Sequence, residues 1–345
     1  MTVAGGGLVL SLDFELGWGV ADTLAANGGY RRHLLGAREA VPRILERFAA
    51  HGVGATWATV GMLFATSREE LVAHAPPAEL RPRYRDPRLD VYRLQVGEDE
   101  RRDPLHYAPS LIDAIAACPG QRIGSHSFAH YYSLERGQTR ATFEADLQAA
   151  VTLAAARSLT LRSYVWPRHQ LRADYLPILA RHGFTVHRGP EPNVLNRPHR
   201  GAYSPLAVRA ARLTDAYLGL TGPNLVRWSA LTPVGGLVDV PESRFLRPVA
   251  ARATALEPLR LHRITTAMRR AAATGALFHL WWHPHNFGAD VGANLRALDV
   301  LLRAYDELRD RYDFASYSLE DVRARVAAGV PASGNRAGPA TASTS

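Results

Sequence analysis

The sequence predicts a single α/β domain, a distorted parallel (β/α)7-8 barrel over residues 1–330, with a polar tail at 331–345. Three observations predict it. Short apolar runs alternate along the chain with longer stretches at helical spacing, and seven or eight such pairs can be counted. No sharp change of composition divides the 345 residues, a length that one barrel can fill. Acids and histidines follow several of the apolar runs, where a parallel barrel gathers its strand ends on one face.

The first run, Leu8-Val9-Leu10-Ser11-Leu12, reads as a buried strand ending at Asp13. Residues 36–50 place Ala40, Val41, Ile44, Leu45 and Phe48 on one helical face, closed by Gly52. A second strand follows over Ala55–Val60. Residues 66–108, rich in proline, arginine and aspartate, are expected to form an insertion over one face. Further strands are expected near Arg122–Ser125, Ser163–Trp166, Phe184–His187, Leu237–Val240, Leu277–Trp282 and Phe314–Tyr317. Helices are expected near 110–117, 140–157, 172–182, 206–219, 257–273, 292–310 and 319–328. Ser318 and Asp321 have the spacing of a capping box for the last of these. The small, proline- and glycine-rich tail is expected to be disordered.

The formal net charge of +9 raises the question of nucleic acid. Every basic side chain is an arginine, however, and the arginines are spread along the chain. A nucleic-acid footprint is a stripe or cluster, so that partner is not expected; an anionic small molecule remains compatible with the charge. The single cysteine, Cys118, rules out an intrachain disulfide and a cysteine zinc site. The N-terminus lacks the basic and apolar regions of a secretion signal, and no stretch is long enough to span a bilayer. A cytoplasmic location is therefore expected; the oligomeric state is left open.

The strand ends carry the chemistry. Asp13-Phe14-Glu15 follows the first strand, and His126-Ser127-Phe128-Ala129-His130 follows the third. Pro167-Arg168-His169-Gln170 follows the fourth, and His283-Pro284-His285-Asn286 the strand at 277–282. Two histidines four apart share a face if the turn between them is helical, and a carboxylate such as Glu15 would complete a two-histidine, one-carboxylate metal site. Such a set suits Zn²⁺, with Co²⁺ or Fe²⁺ as alternatives, and leaves a position open for water. Taken singly, each feature has a plainer reading: Asp13 and Glu15 as helix caps or arginine partners, His283 as a hydrogen-bonded core residue. Trp18 and Trp57, and likewise Trp281 and Trp282, stack on a sugar or simply pack. His279 is expected to be structural, and His33, His51, His182, His187 and His199 show no spacing pattern.

At these residues the sequence resembles the polysaccharide deacetylase family over most of 8–320. His126-Ser127-x-x-His130 after a strand is the most specific element, and the strand-terminal acids come next. The resemblance implies a metal-dependent deacetylase barrel in which Glu15, His126 and His130 hold the ion. Asp13 would be the base and His283 the acid, with His285 its competitor; the exchange of the Asp13 and Glu15 roles stays open, because the family's two aspartates are adjacent and here the acids are spaced. Arg168 after Pro167 looks like the family's arginine and is expected to hold Asp13 ionised, with Arg162 a weaker candidate. Trp18, Trp282 and His285 are expected to bind substrate, and Val240-Pro241-Glu242-Ser243 to line the sugar pocket. The implied substrate is an N-acetylated amino sugar, a small biosynthetic or lipid- or nucleotide-linked intermediate. A hydrolase of a non-sugar amide or cyclic imide is the alternative, and a catalytically silent sugar-binding barrel the second alternative.

Overall fold

Parallel strands with apolar, β-branched or aromatic residues on both faces dictate a sheet buried on both sides. In the computed structural model, which describes residues 5–24, 30–193, 195 and 206–329, the strands are β1 (Gly7–Phe14), β2 (Ala55–Thr59), β3 (Gln121–Ser125), β4 (Ser163–Val165) and β5 (Val186–Arg188). They continue with β6 (Val238–Asp239), β7 (Arg244–Phe245), β8 (Leu277–Trp282) and β9 (Ala315–Tyr317). All pair in parallel in the order β6-β5-β4-β3-β2-β1-β8-β7, with β9 alongside the start of β1. One bent segment bridges the two edges of the curled sheet. Its first half pairs with β5 and its second half with β8, and Pro241, which cannot donate to a ladder, sits at the bend. Edges that would otherwise be open are thereby covered.

Side-chain alternation sorts the two layers. Val9, Ala58, Val165, Val186, Val238 and Leu277 fill the interior of the curl, closed at one end by Tyr317, Leu319 and Val322. The opposite strand faces meet the helices. Leu8, Leu10, Leu12 and Phe14 of β1, for example, pack with Ala37, Val41, Ile44 and Phe48 of the helix Tyr30–His51. Asp13 therefore lies within β1, on the inward face with Val9 and Ser11. Each expected strand and helix is present, and the capping box forms as expected: Ser318 Oγ accepts from the Asp321 N–H and the Asp321 carboxylate accepts from the Ser318 N–H. The two-residue β7 was not anticipated; Arg244-Phe245 is too short to show a period.

Residues 66–108 form short turns and the helix Arg68–His74. They dock where Gly17 donates to Leu105 O and the Trp18 indole donates to His106 O. The expectations for 331–345 and for His199 lie outside the described residues. Among the described residues no helix is long and apolar enough to cross a membrane.

Candidate metal-binding active site

Non-glycine residues with positive φ mark where the chain accepts strain, and such strain clusters at functional sites. Of eight among the described residues, five (Leu16, Ser127, His130, Arg168 and His169) lie just past the ends of β1, β3 and β4. Three of them, His130, Arg168 and His169, line a cavity of about 360 Å³ at the C-terminal mouth of the strands, with Asp13, Glu15, His126, Trp281, His283 and His285 among others. A cavity of this size suits a small-molecule site.

Glu15 comes two residues after Asp13 and turns its carboxylate toward the β3 loop. Its Oε2 lies 3.0 Å from His130 Nε2 and 3.3 Å from His126 Nε2, and all three residues are buried. The donor atoms of this trio lie within 4.8 Å of one another. A Cβ at Gly19 would run into the Glu15 carboxylate, so glycine keeps that space open. The loop is not helical as the four-residue spacing suggested. Ser127 and His130 take φ of 63° and 50°, and buried Asp146 accepts from the Phe128 and Ala129 N–H groups at 2.8 and 3.0 Å. Ser127 Oγ further accepts from the Tyr131 N–H at 2.6 Å. Removing the carboxylate in Asp146→Ala is expected to weaken divalent-metal affinity about 10- to 100-fold, as for other residues that orient ligands. Competition with a chromogenic chelator measures this; unchanged affinity would show that the loop holds its shape without Asp146.

The ring orientations fit a cation. His126 Nδ1 lies 3.0 Å from Val165 O, a contact that requires the proton on Nδ1. In the neutral ring the lone pair of Nε2 then faces the Glu15 carboxylate, acceptor against acceptor, and a divalent ion bound by both relieves that opposition. Burial alone would raise the Glu15 carboxyl; the charge of His283 and the imidazoles of His126 and His130 against its oxygen instead hold it well below the ordinary range. Burial lowers His130, against the pull of Glu15, and thus favours the neutral ring that ligates.

Asp13 is occupied differently. Arg188, at the end of β5, grips it through a two-pronged pair, Nη1 to Oδ1 at 2.7 Å and Nη2 to Oδ2 at 2.8 Å. Burial pushes the Asp13 carboxyl up, but Arg188, with His126 and His283, brings it down to about 2. The partner of Asp13 is therefore Arg188, where the sequence had suggested Arg168. Arg168 instead donates to Asp22 at 2.8 Å and stacks over Tyr132, at the cavity wall. Arg162 precedes β4 and so sits at the other end of the sheet.

His283 Nε2 stands 3.5 Å from Glu15 Oε1 and 3.9 Å from Asp13 Oδ2, with its Nδ1 3.3 Å from Asn286 Nδ2. His285 also lines the cavity, but it is buried; burial, then the charge of His283, pushes it down to about 3, which keeps it neutral. His279 is structural as expected. Its Nδ1 is 3.1 Å from Pro241 O and its Nε2 2.8 Å from Ser11 Oγ.

The tryptophans divide by alternation. Inward-facing Trp281 lines the cavity, with the Arg188 guanidinium 4.5 Å over its ring. Trp282 faces the helices, fully buried and stacked on Phe287. Trp18 is likewise buried against His106. Neither reaches the cavity, so the expectation that Trp18 and Trp282 bind substrate is corrected. Trp282→Ala is expected to cost about 3–5 kcal/mol of stability, whereas Trp281→Ala should chiefly raise KM. Denaturant unfolding and steady-state kinetics separate the two effects; reversed outcomes would contradict the assignment. Arg188 was missed by sequence reading, and His169 and Trp281, though named there, were given no place in the site. Glu242, within the segment expected to line the pocket, lies 3.4 Å from both His169 Nδ1 and Arg188 Nε.

No protein-family model matches the chain, and no curated protein does. Solved structures do match. A protein of Mycobacterium smegmatis assigned to the polysaccharide deacetylases is 14% identical with a TM-score of 0.58, over 98% of this chain and 96% of that one. A similarly assigned protein of Pseudomonas aeruginosa PAO1 is 12% identical with a TM-score of 0.53, over 94% and 92%. The allantoinase Puue is 14% identical with a TM-score of 0.54, over 95% and 92%. At such identities the likeness is one of architecture, and by it the chain has the polysaccharide deacetylase fold.

Proposed function

We propose that this chain is a metal-dependent hydrolase that removes the acetyl group from an N-acetylated amino sugar, a small biosynthetic or carrier-linked intermediate. The observation that carries the reading is the convergence of Glu15, His126 and His130 on one point, with His283 and the Arg188-held Asp13 beside it. The geometry favours Glu15 as ligand and Asp13 as base, because Glu15 meets both imidazoles and Asp13 is held by Arg188. A divalent ion such as Zn²⁺, Co²⁺ or Fe²⁺ in that site supplies Lewis acidity, lowering the pKa of a water and polarising the acetamide carbonyl.

The chain's own groups do the rest. Asp13, kept ionised and aimed by Arg188, accepts the proton of the attacking water as its oxygen bonds to the carbonyl carbon. A carboxylate whose pKa is about 2 is a weak base, so it works only on a water that has already been acidified. His283, at the open side of the cavity, donates a proton to the nitrogen as the C–N bond breaks, leaving acetate and the free amine. Neutral His285 does not supply that proton. Trp281 offers its ring to a sugar face.

The test is acetate release from N-acetylated amino sugars by the metal-loaded protein, with cyclic ureides as the comparison. The expected result is acetate from the sugars and its loss in His126→Ala; turnover of ureides alone would replace this reading with the cyclic-amide one.

A further inference from the structure

A second lobe of about 270 Å³ adjoins the active-site cavity, sharing with it Arg212, His169, Phe245, Trp281 and His283. Arginines from two elements converge there: Arg212 from the helix Leu206–Leu218, and Arg244 and Arg247 from β7 and the residues after it. The carboxylates of the lobe are already engaged. Asp215 takes Arg244 at 2.6 Å and Arg263 at 3.2 Å, Glu191 faces Arg244 at 3.5 Å, and Glu242 faces Arg188 and His169. Arg247 is half-buried and has no carboxylate within ion-pair distance among the described residues. Arg212 gives its Nε to Leu195 O at 2.8 Å. Burial, then the positive charges of Arg212 and Arg260, lower the pKa of Arg247 against the opposing pull of Tyr217 and Asp215.

We propose that this lobe is an anion subsite in which Arg247, with Arg212, binds a phosphate or diphosphate group carried by the amino sugar. The inference rests on the deacetylase reading for the sugar and adds the chemistry of its substituent. Guanidiniums suit phosphate oxygens because their planar forks give paired, charge-assisted hydrogen bonds. Trp281 and His283 line both lobes, so the two adjoin, and a group attached to a sugar whose acetamide lies by Glu15 and Asp13 is placed beside the arginines.

The experiment compares kcat/KM for an N-acetylhexosamine, its 1-phosphate and its nucleoside diphosphate derivative, in wild type, Arg247→Gln and Arg212→Gln. Arg303→Gln, at an exposed position on the helix Val291–Tyr312, controls for net charge. The phosphorylated sugars should be preferred by about 10- to 100-fold, the worth of one or two charge-assisted hydrogen bonds. Arg247→Gln should abolish that preference through KM while sparing the uncharged sugar, and Arg303→Gln should leave it intact. Which phosphorylated sugar is better identifies whether a simple phosphate or a nucleotide carries the charge. Equal rates on charged and uncharged sugars, or an equal loss on both in Arg247→Gln, would overturn the subsite. Pyrophosphate binding by calorimetry decides the matter separately from turnover. Wild-type binding weakened at least 10-fold in Arg247→Gln supports the subsite even if no sugar is deacetylated, an outcome that would sink only the deacetylase reading. No pyrophosphate binding by folded wild type overturns the subsite.

Discussion

Asp13→Asn is expected to lower kcat/KM on an acetamido substrate by about 10²- to 10⁴-fold, the range for loss of a general base, while the bound metal is retained. The side chain keeps its size, and its oxygen still accepts one prong of Arg188. Its amide nitrogen, however, faces the other prong, donor against donor, and has no lone pair to take a proton from water. Because Arg188 keeps Asp13 ionised down to about pH 2, the acid limb of the wild-type rate profile should not report this residue. Metal analysis beside the kinetics separates the roles. Loss of the ion in Asp13→Asn would make Asp13 a ligand and reopen the role of Glu15.

Arg188→Met is expected to destabilise the fold by about 3–5 kcal/mol, the usual consequence of removing one member of a buried pair. Arg188 and Asp13 are each under 5% exposed, and Arg188 also donates to Ser11 Oγ at 2.9 Å. Methionine of similar length leaves Asp13 buried with no counter-charge of its own. The sign of the pH dependence follows from the lowered carboxyl. Its contribution is present above the unfolded pKa of 3.8 and is lost as pH falls through about 2. The stability gap between wild type and Arg188→Met should therefore narrow between pH 4 and 2. Urea unfolding at both ends of that window checks it, and Asp13→Asn should recover part of the loss in the double variant. A gap independent of pH would show that packing, rather than the ion pair, is what the substitution removes.

Most of the barrel was legible because its signals are local. The apolar run before Asp13, the periodic face from Ala40 to Phe48 and the Ser318–Asp321 box each point to their element without tertiary help. The meeting of Glu15, His126 and His130 was legible for a related reason: these residues directly follow strands, and a parallel sheet brings such positions to one rim. The Asp13–Glu15 spacing also makes physical sense, since residues two apart near the end of a strand emerge toward the same side.

What escaped the sequence depends on tertiary packing. The identity of the arginine on Asp13 is set by how far β4 and β5 extend toward the mouth, and Pro167-Arg168 was the more conspicuous pair. Arg188, in Val186-His187-Arg188, ends its strand without any flanking pattern. Trp282 was assigned to the substrate although alternation from His279 and His283 could have pointed to Trp281 instead: residues 279, 281 and 283 share parity, and Trp282 does not. The route by which His126 and His130 meet was also hidden: the segment between them is not helical, and Asp146, from the helix Arg140–Ala156, accepts hydrogen bonds from the irregular loop.

The central claim is that Glu15, His126 and His130 together hold one divalent ion. Its most direct measurement is metal content per chain after loading with Zn²⁺ and exhaustive dialysis, on wild type and on His126→Ala and His130→Ala variants shown by circular dichroism to be folded. Near one equivalent in wild type and close to none in either variant is the predicted result. An empty wild type, or folded variants that keep a full equivalent, would contradict it.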